Sequence, residues 1–567
     1  WIKHIDAGDL AVMIGGRIGK DGIHGATFSS LALDETSPVS AVQIGDPITQ
    51  KRMTDFLLEA RDRGLYKGIT DNGAGGLSSS LGEMAEYSGG IRIRLDACPL
   101  KYQGLAPWEI LVSESQERMS LSVDPERIEE FMELARRRDV EAAVVGEFTR
   151  SGHIEIFYGA EQVGCLDMEF LHHGLPRMEL EANWTAPLRH DTDCGERDLS
   201  SDILAVLSDY SVASKEPLVR QYDHEVQGGS VIKPFVGVHA DAPSDGAVFR
   251  PVYSSRRGIT ITHGICQRYG DIDTYHMAMC AVDEAYRAHI ALGGDPERVS
   301  ALDNICWPDP VESERNPSGS YKMAQLIRAL RGLKDACVAY GIPLISGKDS
   351  MKNDAEAGGV RISVRPTLLV SLLGIITDIH RAVTTDFKQA GDIVFVAGFT
   401  RRELGATSFE RAAGLQFRQC PRVFTDEAIP LYRALSFAIA HGLVSSCHDM
   451  SDGGFAVAVC ESALGGQLGA EVSLDAVPLK TEAGDPPLTD TEVLFSESQS
   501  RFVISVSPCA LGEFLTLIDG LPVKPVGTVT ERRDVRFLRG SKAAAVCSLD
   551  SIERAFKRFE TSEGVHV

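Results

Sequence analysis

The chain has 567 residues, 43% of them hydrophobic and 24% charged, which is too long for one ordinary core and too rich in core-forming residues for a disordered or low-complexity chain. Its formal charge of −23 argues against a general nucleic-acid or anionic-membrane surface, because phosphates are repelled except at local basic sites. The 12 cysteines include no C-x-x-C pair, so no zinc site or disulfide framework is signalled and a reducing cytoplasm fits best.

In chain order, the residues from Trp1 alternate like a strand entering from something earlier, so an upstream unit is expected. Gly8-Asp9 and Gly25-Ala26-Thr27 come next, then Asp71-Asn72-Gly73-Ala74-Gly75-Gly76 leading into Leu77, Leu81, Met84 and Ala85. That spacing puts four apolar residues on one helix face. Leu95-Asp96-Ala97-Cys98-Pro99-Leu100, the polar turn Ser113-Glu114-Ser115-Gln116-Glu117-Arg118 and Val145-Gly146 complete the first stretch. The same landmarks return in the same order: Gly391-Asp392, Gly405-Ala406-Thr407, Asp449-Met450-Ser451-Asp452-Gly453-Gly454, Leu474-Asp475-Ala476-Val477-Pro478-Leu479, Ser496-Glu497-Ser498-Gln499-Ser500-Arg501 and Val526-Gly527. Counting the two glycine motifs as one, five co-linear matches predict a duplicated domain, and its alternation of β-type and helical stretches predicts an α/β or α+β unit. The expected organisation is a first copy over 1–170, a connector over 171–244, a different unit over 245–385, a second copy over 386–545 and a tail over 546–567. The middle unit shows a helix pattern at 276–292 and a buried strand at 368–376, an apolar run too short to span a bilayer.

Chemistry is expected at the repeated loops. Glycines at a helix N-terminus expose backbone N–H groups and the positive dipole end to an anion, and a neighbouring carboxylate can hold the Mg²⁺ that accompanies a nucleotide. Gly347-Lys348-Asp349-Ser350-Met351 follows an apolar stretch, a junction where glycine permits close backbone approach to phosphate. Gly264-Ile265-Cys266-Gln267 and His153-Ile154-Glu155 imitate a glutaminase elbow and its base pair, but in the wrong order, so a packed cysteine and a strand histidine are expected.

Together, the Gly15-Gly16 segment to Ala26, Val42-Gln43-Ile44-Gly45-Asp46-Pro47, the Asp71 loop, the Ser113 turn, Tyr222-Asp223-His224-Glu225-Val226 and the Gly347 motif resemble the phosphoribosylformylglycinamidine synthase family over nearly the whole chain. The resemblance implies a duplicated superfamily unit with α/β B domains at 1–170 and 386–545 and a barrel-forming A domain at 245–385. Its A-domain partner would lie upstream, together with the family's histidine motif, so no catalytic histidine is assigned here and the chain alone is expected to be inactive and to self-associate. The implied reaction is ATP-dependent amidine formation in purine biosynthesis. By resemblance, Gln43, Glu114, Ser115, Gln116 and Ser350 bind substrate, Asp303, Gly347 and Ser451 approach nucleotide, and Asp71, Asp245, Glu284 and Asp449 bind Mg²⁺. A fourth auxiliary metal ligand, an Asn in large family members, falls on Ala288. A separate glutaminase subunit and a small bridging subunit are the implied partners. The alternative is a non-catalytic nucleotide-binding scaffold of the same superfamily.

Overall fold

In the computed structural model, residues 3–25, 45–358 and 360–558 are described. They divide into two compact units, Trp1–Leu180 with Met351–Val364, and Glu181–Ser350 with Arg365–Val567.

The first unit is built on seven strands, β1 (Leu10–Gly15), β2 (Gly68–Asp71), β3 (Ile91–Arg94), β4 (Arg118–Val123), β5 (Ala142–Phe148), β6 (His153–Tyr158) and β7 (Glu161–Asp167), in the order β2-β4-β1-β5-β3-β6-β7. Alternation along β1 fills two cores. Val12 and Ile14 pack with Phe56 and Phe131 from the helices Pro47–Asp62 and Ile128–Arg137. Ala11 and Met13 pack with Leu77, Leu81 and Met84 of the helix Gly76–Ser88 on the other face, as the period of two requires.

The second unit contains β8 (Ser230–Ile232), a short ladder of β9 (Phe235–Val236) with β10 (Ala242–Pro243), and β11 (Ala247–Phe249), β12 (Gly258–Ile265), β13 (Val299–Cys306) and β14 (Leu344–Ser350). The hairpin β15 (Asp354–Ala357) and β16 (Val360–Ser363) falls with the first unit, and β17 (Thr367–Ile376) returns to the second. A six-stranded sheet runs β14-β13-β17-β12-β11-β8. It is open among the described residues, not closed as a barrel. The helices Thr274–Ala291 and Gly319–Tyr340 cover one face. On the other, Ile261, Ile265, Leu302 and Leu373 are exposed, as is the edge strand β14.

The second copy comprises β18 (Ile393–Ala397), β19 (Ser446–Asp449), β20 (Gly469–Ser473), β21 (Phe502–Val506), β22 (Val523–Thr530), β23 (Asp534–Arg539) and β24 (Lys542–Ser548). Their order, β19-β21-β18-β22-β20-β23-β24, reproduces the first copy strand for strand. Even the irregularities coincide. The β1–β5 register shifts between Ala11 and Val12, and β18–β22 between Val394 and Phe395. The β6–β7 register shifts between Ile156 and Phe157, and β23–β24 between Phe537 and Leu538. The core of the second copy is richer in aromatics, with Phe409, Phe455, Phe495 and Phe537 buried in it.

His289, on the helix Thr274–Ala291, is fully buried, with Nδ1 2.6 Å from Thr260 Oγ1 and Nε2 3.0 Å from the Asp295 carbonyl. Its ring lies where a Cβ on Gly294 or Gly374 would stand, 1.9 and 2.2 Å from such an atom. Burial pushes the imidazole down to about 4. The unfolded chain therefore takes up this proton first, so the stabilisation is complete above about 6.5 and is lost as pH falls toward 4. The whole window corresponds to about 3 kcal/mol. Unfolding of the second unit between pH 7 and pH 5 is expected to show this loss, and His289→Gln to flatten it; equal slopes for parent and variant would refute the assignment.

Candidate functional site

Asp71 ends β2 and is exposed, its Oδ1 accepting the Gly73 N–H at 2.9 Å. Gly75 and Gly76 follow at φ 74° and 56°, and a Cβ on Gly76 would lie 2.1 Å from the Ser113 carbonyl oxygen. Only glycine fits that conformation and that approach. The polar turn is thereby pressed against the N-terminus of the helix Gly76–Ser88. Glu114, 3% exposed, accepts the Gly75 N–H at 3.3 Å, so the chain itself supplies an anion to this helix end. Ser115 is fully buried and its Oγ accepts the Gly19 N–H at 3.0 Å. Arg118 clamps the turn from within, Nε donating to the Ser115 carbonyl at 2.7 Å, and burial lowers its guanidinium to about 10.

Of the expected substrate turn, Gln116 is the member that opens outward. Its Nε2 donates to the Glu114 carbonyl at 2.8 Å. With Gly15, Gly16, Arg17, Arg52 and Glu117, it helps line a cleft of about 610 Å³. Gln43 lies outside the described residues.

The second copy has the same skeleton with different contents. Gly453 and Gly454 take φ 78° and 66°, and Glu117 and Ser500 hold matching φ values of 55° and 60°. Glu497 accepts the Gly453 N–H at 2.7 Å, the Ser408 N–H at 2.9 Å and the Tyr269 hydroxyl at 2.7 Å. The cleft equivalent to the first copy's shrinks to about 10 Å³, between Phe399, Phe424, Gln499 and Ser500, with the Arg401 guanidinium 4.0 Å from the centre of the Phe424 ring.

Three of the four residues expected around an auxiliary cation meet. The Asp449 N–H donates to Asp245 Oδ2 at 3.1 Å, and Ser451 Oγ donates to Asp449 Oδ2 at 2.6 Å. Asp245, His448 and Asp449 also present ligand atoms within 4.8 Å of one another. Glu284 turns aside, accepting the Ile265 N–H at 2.8 Å and facing Cys266 Sγ at 3.4 Å. Burial raises Glu284 to about 7 and Asp245 to about 6. Burial by itself would discharge His448, but Asp245 on Nδ1 at 2.6 Å and Glu461 on Nε2 at 2.9 Å hold its pKa well above the usual range. Arg287, absent from the sequence-derived candidates, is fully buried among these groups. The i,i+4 pair Asp283–Arg287 was its visible signal, and such a pair ordinarily marks a solvated face.

Asp303 and Gly347 are partners in the parallel β13–β14 ladder, as are Cys306 and Ser350. A Cβ on Gly347 would sit 2.8 Å from Asp303 Oδ1, so this glycine makes room for the carboxylate. Burial, then Asp349, raises Asp303 above the usual carboxylate range. Lys348 Nζ donates to Ser350 Oγ at 2.9 Å. Cys266 packs beside Glu284, and burial drives its thiol well up, away from the thiolate that a nucleophile requires.

Asp71 suits Mg²⁺, which commonly keeps several waters and takes one or two protein carboxylates. The Asp245–Asp449 group suits it less, since both Asp245 oxygens, Asp449 Oδ2 and both His448 nitrogens are already engaged within the protein and a guanidinium lies beside Asp449.

The profile described as AIR synthase related protein, C-terminal domain, matches residues 6–159 and 389–539, and the corresponding N-terminal domain profile matches residues 243–376. Phosphoribosylformylglycinamidine synthase subunit PurL of Thermococcus sibiricus is 34% identical over 530 residues, covering 93% of this chain and 70% of the relative. The structure described as T. maritima PurL complexed with FGAR superposes with a TM-score of 0.64 at 24% identity, covering 93% of this chain and 72% of that one. A second, described as PurLQS from Thermotoga maritima, gives 0.60 at 22% identity with 93% and 72% coverage. The duplicated sheets, the matching Gly-Gly loops and this identity lead to one statement: the chain belongs to the phosphoribosylformylglycinamidine synthase family, as a relative of its PurL subunit.

Proposed function

We propose that the chain takes part, within the assembled enzyme, in ATP-dependent amidine formation in purine biosynthesis, the conversion of formylglycinamide ribonucleotide and ammonia to formylglycinamidine ribonucleotide, with the substrate at its first copy. The observation that favours the first copy is the contrast between its open cleft of about 610 Å³ beside Gln116 and the closed counterpart of about 10 Å³ beside Gln499. Gln116 and Gln43 contact the substrate, while Glu114 and Ser115 shape the turn that presents Gln116. By resemblance to the family, Asp303 and Gly347 are assigned to nucleotide and Ser350 to substrate. The amide oxygen of the substrate attacks the γ-phosphorus, ADP leaves, and ammonia displaces phosphate from the resulting iminophosphate. Asp71 would hold Mg²⁺, which neutralises charge on the transferred phosphoryl group.

The similar Thermotoga structures are described as PurL complexed with FGAR and with ATP, and as PurLQS. By analogy, ammonia reaches this chain from a separate glutaminase subunit, with a small bridging subunit. No described helix is long and apolar enough to cross a membrane.

Thermal unfolding with formylglycinamide ribonucleotide and with ATP, each alone, tests the assignment, because a ligand that binds the folded state raises its unfolding temperature. Both are expected to stabilise the chain. A response to ATP alone would establish the scaffold reading instead. In the synthase assay of the assembled enzyme, Asp71→Asn is expected to cut turnover by about 100-fold, roughly 2.7 kcal/mol of transition-state stabilisation; unchanged turnover would remove Asp71 from the site.

A further inference from the structure

The second copy keeps the carboxylates that suggest a cation, but a cation is already there. Arg287 lies between them with its side chain fully buried. Nε donates to Asp449 Oδ2 at 3.2 Å, Nη2 to Ser451 Oγ at 3.2 Å, and Nη1 to Asp283 Oδ2 at 2.7 Å and Gln499 Oε1 at 3.0 Å. The two residues that best suit a hard cation in this loop, Asp449 and Ser451, are thus both oriented on a guanidinium.

The other positions expected by resemblance to ligate the ion, with the neighbouring His448, are committed as well. Asp245 Oδ1 meets His448 Nδ1 and its Oδ2 accepts the Asp449 N–H. Both His448 ring nitrogens face carboxylates. Glu284 serves the Ile265 N–H, and Ala288 carries no oxygen in its side chain. Glu497 takes the Gly453 N–H at 2.7 Å, as Glu114 takes the Gly75 N–H in the first copy. Val206 of the connector closes over Gly453, where a Cβ would meet its Cγ1 at 2.9 Å. The cavity left between Ser211, Val212, Asp449, Ser451 and Glu461 is about 130 Å³, below the roughly 300 Å³ at which small-molecule pockets begin.

We propose that in the second copy the Arg287 guanidinium stands in place of a divalent cation, so that the Asp449 loop is a metal-free structural site that takes neither Mg²⁺ nor a nucleotide. A fixed monovalent cation holds Asp449, Ser451 and Gln499 in the arrangement that a bound ion would otherwise impose, and it repels a second cation. This holds whether or not the first copy is the seat of catalysis.

The test is the number of Mn²⁺ ions bound per full-length chain, read from the electron paramagnetic resonance of the free ion with and without ADP. Asp449→Asn, nearly isosteric, is expected to bind as many Mn²⁺ and ADP as the parent, while unfolding at a lower temperature because Arg287 loses an ionic partner. Loss of one Mn²⁺ or one ADP per chain in Asp449→Asn overturns the proposal. Arg287→Met, which removes the guanidinium and leaves the carboxylates, is expected to gain one Mn²⁺ per chain; a folded variant that gains none also overturns it. If neither variant folds, anomalous scattering from Mn²⁺-soaked crystals of the parent decides. A peak within coordination distance of Asp449 overturns the proposal, and its absence there upholds it.

Discussion

Asp283→Ala is expected to destabilise the unit formed by Glu181–Ser350 and Arg365–Val567 by about 3–5 kcal/mol, the range for breaking a buried ion pair from one side. The Asp283 carboxylate is fully buried. Oδ1 accepts the hydroxyls of Tyr340 at 2.5 Å, Tyr432 at 2.6 Å and Ser500 at 2.9 Å, and Oδ2 accepts Arg287 Nη1 at 2.7 Å and the Ser500 N–H at 3.1 Å. Its removal takes one of the two ionic partners of Arg287 away and leaves two phenols without this acceptor in a region closed to water. Asp283→Asn, which keeps the acceptor oxygen for the tyrosines, is expected to lose less. Near-ultraviolet circular dichroism, to which Tyr340 and Tyr432 contribute with the other aromatic side chains, follows the unfolding. A loss below about 1 kcal/mol for the alanine variant would mean that this hub does not hold the unit together.

Gly347→Ala is expected to weaken ATP binding by about 100-fold, roughly 2.7 kcal/mol, with little effect on stability. The added methyl would stand 2.8 Å from Asp303 Oδ1, and the short aspartate side chain has nowhere to retreat without leaving its place opposite Gly347. Strand β14 is exposed along its length, so the fold tolerates the change more readily than the ligand does. Calorimetric titration with ATP measures the loss. Affinity within threefold of the parent would take the Asp303–Gly347 edge out of the nucleotide site.

The duplicated architecture was legible because its punctuation is local. Gly75-Gly76 and Gly453-Gly454 all take left-handed φ, and Gly76, Gly453 and Gly454 also lack room for a Cβ, requirements that survive in a sequence as paired glycines. The role of the Ser-Glu-Ser-Gln turn was half legible. Its polarity suggested ligand contact, but Glu114 and Glu497 spend their carboxylates on the helix N-termini 39 and 44 residues earlier in the chain, a long-range pairing that no periodicity reports. Arg287 was illegible for the same reason. On a helix it reads as the partner of Asp283, and only the packing of the helix Thr274–Ala291 against the second copy makes it a buried hub. Glu284 showed the reverse, since its place in the motif was visible but its rotation toward Ile265 was not.

The coincident register shifts carry a consequence for biosynthesis. A strand leaving β1 or β6 to pair in the sister sheet would meet a backbone with its extra residue in the matching place, so hydrogen bonding alone does not tell the copies apart. Discrimination falls to side-chain volume. Val12 and Phe395 hold corresponding places beside the first shift, and Ile156 and Phe537 beside the second. An exchanged strand would leave voids in the core of the second copy and overfill that of the first, and both errors cost stability. Divergence between the halves thus serves as proofreading during folding: the more unlike the two cores become, the less a growing chain can mistake one half of itself for the other.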